Sequence, residues 1–187
     1  MKRVLAIVVL AAVAVVIVAP LASRADQNAP VLDELFAKLQ TDLDAAAAVQ
    51  VARDIWAAWL QHDDPAVNTQ MAAGMRAMQA GRWRDAIAPF DAAIALAPDF
   101  AEAWNKRATA HYMAGDFESS GADVARTLRL EPRHFGALVG QGMMHMRMRE
   151  AERALIYFRR ALAVNPHMDN VRGYVERLSR GRGIKPI

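Results

Sequence analysis

Apolar residues recur three and four positions apart through most of the chain, the spacing that lines one face of an α-helix. Residues 31–39 and 43–61 read as two such helices turning near Thr41 and Asp42, with Leu35, Phe36 and Leu39 on one apolar face and Ile55, Trp56, Trp59 and Leu60 on another. Residues 169–180 continue the pattern with Val171, Tyr174, Val175 and Leu178 on one side and arginines elsewhere. Between these ends the chain is punctuated by LAPDF, LEPRH and VNPHM, which set Pro98, Pro132 and Pro166 at intervals of 34 residues. A residue before proline is pushed out of helical geometry, so each of these is a stop. Pro89 is a proline inside an apolar helical pattern, where it removes a backbone donor; a kink or a late helix start is expected there. The tail GRGIKPI is too rich in glycine and proline to be helical, and mobility is expected of it.

Aligned on the three prolines, other positions fall into register: Ala86 with Ala154, Phe90 with Phe158, Ala93 with Ala161, Gly81 with Gly115, and Trp83 with Phe117. With Trp104 and with Gly74 and Gly142 in their expected places, residues 67–168 resemble the tetratricopeptide repeat, a 34-residue helix pair with small contact residues, an aromatic between the helices and a closing proline. Three copies are assigned, 67–100, 101–134 and 135–168. The second departs from the pattern at Ala108, Ser120 and Val124, and the third has Arg149 where a turn glycine is usual. One helix pair cannot bury its apolar face alone, so neighbouring copies must stack. The resemblance implies an all-α fold, a right-handed α-solenoid of three helical hairpins. An N-terminal helical hairpin within 26–66 is either a degenerate copy or a private cap, and residues 169–187 supply a capping helix and tail.

Residues 1–25 change the picture of compartment. Lys2 and Arg3 precede an uninterrupted apolar run from residue 4 to 19, Pro20 breaks it, and Ser23-Arg24-Ala25 offers small residues at signal-peptidase spacing. A signal peptide cut after Ala25 and an uncleaved membrane anchor both place the remainder in the periplasm. The formal charge of +3 belongs to this leader. Lys2, Arg3 and Arg24 lie in it with no acid, so of 23 basic side chains 20 remain against 20 acidic ones. That balance removes the nucleic-acid reading, though residues 26–134 lean acidic and 135–187 basic. With no cysteine there is no thiol nucleophile, disulfide or lipidation site.

No catalytic constellation emerges. Gly140 and Gly142 lack a preceding strand and a third glycine, Ser119 and Ser120 lack the glycines of a nucleophile elbow, and no H-E-x-x-H is present. The most unusual stretch is GMMHMRM at 142–148. On a helix Met143 and Met146 share one side and Met144 and Met148 another, so these side chains cannot converge on one ion, and neither a metal site nor a cofactor is expected. A metal- or haem-handling envelope protein remains the competing reading, with His111 and His145 in matching places of adjacent copies.

In the family it resembles, the first helix of each copy lines a concave groove. Stepping by 34 selects its rows here: Met71, Asn105 and Val139; Met75, Thr109 and Met143; Met78, Tyr112 and Met146. Methionine adapts to differently shaped apolar partners. The expectation is a non-enzymatic scaffold that holds a peptide or protein segment in this groove. Some members clamp an acidic carboxyl terminus with lysines and asparagines. Met71 and Met75 stand where such residues belong, and only Asn105 and Lys106 are polar nearby, so that partner is not carried over.

Overall fold

A computed structural model describes residues 30–181, and every regular element within them is an α-helix. The expected leader and the last residues of the tail lie outside the described residues. Among those described, no helix is long and apolar enough to cross a membrane. The chain runs α1 (Pro30–Leu39), α2 (Ala45–Trp59), α3 (Pro65–Gln79), α4 (Trp83–Leu96), α5 (Ala101–Ala114), α6 (Phe117–Leu130), α7 (Phe135–Arg147), α8 (Ala151–Val164) and α9 (Asp169–Arg180). The pairs α3–α4, α5–α6 and α7–α8 are the three copies, stacked in order with α9 against α8.

The local chemistry explains the boundaries. Asp44, Asp64 and Asp116 each accept a backbone N–H in the first turn of the helix they precede, at 2.8, 2.7 and 3.1 Å. Gly81 and Gly115 turn the first two copies at φ +70° and +88°. In the third copy Arg149 takes the same left-handed turn at φ +61°, a conformation that clashes with a Cβ. The late start considered for Pro89 does not occur: α4 begins at Trp83 and continues through the proline. Ala86, Phe90 and Ala93, buried on both sides of it, hold that helix against its neighbours.

The small residues sit where helices meet. A Cβ on Gly74 would come within 2.5 Å of the Phe90 ring, and one on Gly142 within 2.5 Å of the Phe158 ring. The middle copy changes both partners together, with Ala108 facing Val124 and the Ser120 hydroxyl donating to the Ala108 carbonyl at 2.8 Å. Arg107 ties copies one and two, reaching Asp91 at 2.6 Å and holding buried Asp123 through Nε and Nη2 at 2.8 and 2.7 Å. At the far end Val171 and Val175 are buried and Tyr174 stacks on Phe158, so α9 closes the stack as a cap.

The N-terminal hairpin does something else. Its apolar face packs on residues at the junctions that follow α6 and α8. Leu32, Phe36, Leu39, Val51, Ile55 and Trp59 form one cluster with Phe135, and Val164 and Met168 pack against it. Polar ties fix the seat. Arg133 pairs with Asp33 at 2.6 Å and lies over the Phe36 ring, the Gln40 amide donates to the Ala163 and Val164 carbonyls at 3.2 and 2.6 Å, and His167 Nε2 donates to the Leu39 carbonyl at 3.0 Å. These polar partners lie at the end of α8 and in the loops after α6 and α8, over 90 residues away in sequence. The hairpin thus spans the stack, its end packing at Leu60 on the core of the first copy and Trp56 meeting Lys106 of α5 and Gly136 of α7.

Candidate functional site

The three first helices α3, α5 and α7 present the rows read from the sequence, and the seated hairpin divides them. Met71 and Asn105 are buried at 1% and 7% exposure. Met71 and Met75 look across a hollow at Ala58, Leu60 and Gln61 of the hairpin's end. Met71 and Asn105 are therefore corrected as partner-contacting residues: Met71 is packed into the core of its own copy, and the Asn105 amide is turned inward to the Glu102 carboxylate. Met75, Met78, Tyr112, Val139, Met143 and Met146 are half-buried, each leaning on the core of its own copy, and Thr109 is exposed.

Beneath the hairpin lies a buried charge cluster that sequence reasoning missed. Glu102 and His134 are 1% and 0% exposed, with His134 Nε2 donating to the Glu102 carboxylate at 2.8 Å. The direction is fixed because His134 Nδ1 accepts the N–H of Ala137, capping α7 at 3.1 Å. Lys106 Nζ sits 2.8 Å from the other Glu102 oxygen, and the Asn105 amide donates to the first at 3.0 Å. Burial by itself would push the Glu102 carboxyl up, but the His134 hydrogen bond and the Lys106 charge together hold it below its ordinary value. Trp59 lies flat on the His134 ring, Trp56 meets that ring edge-on, and Lys106 stands over Trp56. The only two polar candidates for a carboxylate clamp, Asn105 and Lys106, are thus spent on an internal carboxylate. The one sequence signal for this arrangement was Glu102 on a groove-lining helix, and 32 residues separate it from His134.

The open part of the groove holds a notch of about 170 Å³ lined by Ala108, Thr109, Tyr112, Val124, Ala137, Gly140 and Met143, with Asn105, Ser120 and Gly136 completing it. Tyr112 stands edge-on to Phe117 at its rim.

The side chains of GMMHMRM go to separate surroundings. Met143 faces the notch, Met144 is buried among Ala108, Val124 and Ala137, Met146 rests on the core of the third copy, and Met148 is 56% exposed. His145 stacks on Tyr157 and places Nδ1 2.7 Å from Glu150. His111 repeats the device in the preceding copy, 3.2 Å from Asp116. Each histidine braces the turn of its own helix pair, and no trio of His, Asp or Glu able to hold a metal occurs among the described residues.

Comparison with known proteins agrees with this architecture. The family model described as tetratricopeptide repeat matches residues 71–127 and 114–169. A TPR repeat-containing protein of Rhizobium etli is 38% identical over 109 residues, covering 58% of this chain and 53% of its own, so the chain spans about half of that relative's length. Among solved structures, the first TPR of Spaghetti bound to an HSP90 peptide superposes with a TM-score of 0.61 at 16% identity, over 65% of this chain and 96% of that one. MamA superposes at 0.59 with 20% identity, over 82% of each chain. The repeated helix pairs, the glycine–phenylalanine contacts between their helices and the match over more than half of the sequence place this chain in the tetratricopeptide repeat family.

Proposed function

We propose that this protein is a non-catalytic scaffold of the bacterial cell envelope that holds a peptide or protein segment in the part of its concave groove left open by the N-terminal hairpin. The observation that carries the reading is the hairpin itself. Its Trp56 and Trp59 pack on Lys106, His134 and Gly136 beside the first helices α5 and α7, held by aromatic stacking and backbone-directed hydrogen bonds, so this surface accepts a helical segment with large apolar side chains. The open surface beyond it joins Met75, Met78, Thr109, Tyr112, Val139, Met143 and Met146, mostly unbranched or apolar groups that can conform to a partner without a fixed charge pattern. Peptide-bound relatives of the fold support the mode of binding and not the identity of the partner. No acidic carboxyl terminus is invoked, because Asn105 and Lys106 already hold Glu102.

Affinity capture from the native envelope tests the reading, with the full chain as bait and the pair Met75→Glu and Tyr112→Glu as control. Loss of the captured partner in the control supports the groove; retention moves binding to another surface. The compartment rests on residues 1–25, which serve as a signal peptide or, uncleaved, attach the protein to the inner membrane through residues 4–19. Amino-terminal sequencing of the protein from its host distinguishes the two, a start at Asp26 marking cleavage. Recovery in the cytoplasm with Met1 retained would overturn export.

A further inference from the structure

The family pattern places an aromatic ring between the helices of a copy, and two of the three copies here keep it. Phe90 and Phe158 are both fully buried, each ring filling the space a side chain on Gly74 or Gly142 would need. The middle copy has Val124 at that register, and the next helix adds only Gly136, Ala137 and Gly140 along the same contact. An added Cβ on Gly140 would meet nothing nearer than Val124 Cγ2 at 4.0 Å. The result is the notch of about 170 Å³, bounded in part by exposed Thr109 and half-buried Tyr112, with Trp56 packed against Gly136 of its lining.

We propose that this notch is a specificity pocket for one aromatic side chain of the bound segment, the partner supplying from outside the ring that the other two copies supply from within. The inference rests on the groove reading above and adds to it the chemistry of the residue selected. An apolar space of ~150 Å³ is enough to admit a benzene ring, so size permits a phenyl group. The lining favours one: it includes the Met143 thioether and the Tyr112 ring, and sulfur–aromatic and edge-to-face contacts each reward an arene over an aliphatic chain. Charge does not enter, because no Asp, Glu, Lys, Arg or His side chain lines the notch. Trp56, seated against Gly136 at the notch's edge, is an aromatic side chain of this chain already held by the same surface.

The test uses the full chain with labelled methionine methyls, titrated with N-acetyl-phenylalanine amide and N-acetyl-leucine amide and watched by NMR. The expected result is a saturable shift of the Met143 methyl, with at least threefold tighter binding of the phenylalanine amide. Val124→Phe should abolish the shift by restoring the missing ring, and Gly140→Leu should do the same from the facing helix if the first variant folds poorly. A second arm selects peptides from a random library on the full chain. Selected peptides should carry an aromatic residue at one fixed position and lose at least tenfold in affinity to Val124→Phe. An unmoved Met143 methyl, equal response to leucine, or a shift unchanged in both filled variants would each overturn the pocket. Peptides that bind in the groove yet ignore both variants would sink the pocket and leave the groove reading standing. A Met143 shift blocked by Val124→Phe with no peptide selected would uphold the pocket and count against the groove.

Discussion

Trp59 and His134 lie face to face, ring centroids 4.1 Å apart and planes within 7°, joining α2 to the loop before α7. The contact covers the buried Glu102–His134 pair and anchors the hairpin on the stack. Replacing Trp59 with alanine removes a buried indole, a change that costs ~3–5 kcal/mol where the site cannot collapse. Because the loss falls on one docked element, amide exchange should rise across 30–59 while α3–α8 keep their protection. Uniform loss of protection along the chain would mean that the hairpin and the stack fold as one unit.

The internal charge cluster makes a pH prediction. Burial alone would raise the Glu102 carboxyl, but His134 and Lys106 hold it below its ordinary value of 4.5. The unfolded chain therefore takes up the proton at a higher pH than the folded one. The stability this group contributes is fully present above about pH 4.5 and is lost as the pH falls through the folded value. Urea midpoints measured between pH 6 and 3 should decline more steeply for the natural protein than for Glu102→Gln. Parallel curves would show that Glu102 does not carry the acid sensitivity.

Gly74 and Phe90 should be energetically coupled. Gly74→Ala puts a methyl 2.5 Å from the ring and should destabilise by ~1–3 kcal/mol through overpacking. Phe90→Val should also destabilise, by leaving a void. Combined, they reproduce the pairing of Ala108 with Val124 in the middle copy, so the double variant should be more stable than the sum of the two losses predicts, by ~0.5–3 kcal/mol. A double-mutant cycle on urea unfolding measures the difference, and strict additivity would contradict the steric account.

Arg149 holds a left-handed turn that costs an L-residue ~1–2 kcal/mol relative to glycine. Its counterparts in the other copies are Gly81 and Gly115. Arg149→Gly should raise the stability of the third copy by about 1 kcal/mol, partly reduced by the greater freedom of glycine in the unfolded chain. Thermal melting checks the sign.

Much of this architecture was legible because it is written locally and three times. The prolines, Gly74 with Phe90 and Gly142 with Phe158 recur at a fixed interval, and each helix pair stacks on a neighbour close in sequence. Arg149 was identifiable as a turn residue for the same reason. Pro89 misled on one point: the rule against proline in a helix is a local one, and burial of Ala86, Phe90 and Ala93 around it prevails.

The groove rows were readable as positions and unreadable as surfaces. Periodicity places Met71 and Asn105 on α3 and α5, but only the fold brings Ala58 and Leu60 opposite Met71, or Trp56 and Trp59 over Lys106 and His134. That docking pairs residues as far apart as Trp59 and His134, or Leu39 and His167, through contacts that occur once, so no repeat amplifies them and no spacing encodes them.

By itself, then, the sequence determined that these helices form in pairs and stack, since that follows from short-range sterics and the burial of each pair's apolar face. The tertiary structure decided where the unrepeated hairpin lies, which groove residues it covers and where Val124 leaves an opening. Those outcomes depend on the shape left between elements, which the chain acquires when distant surfaces meet.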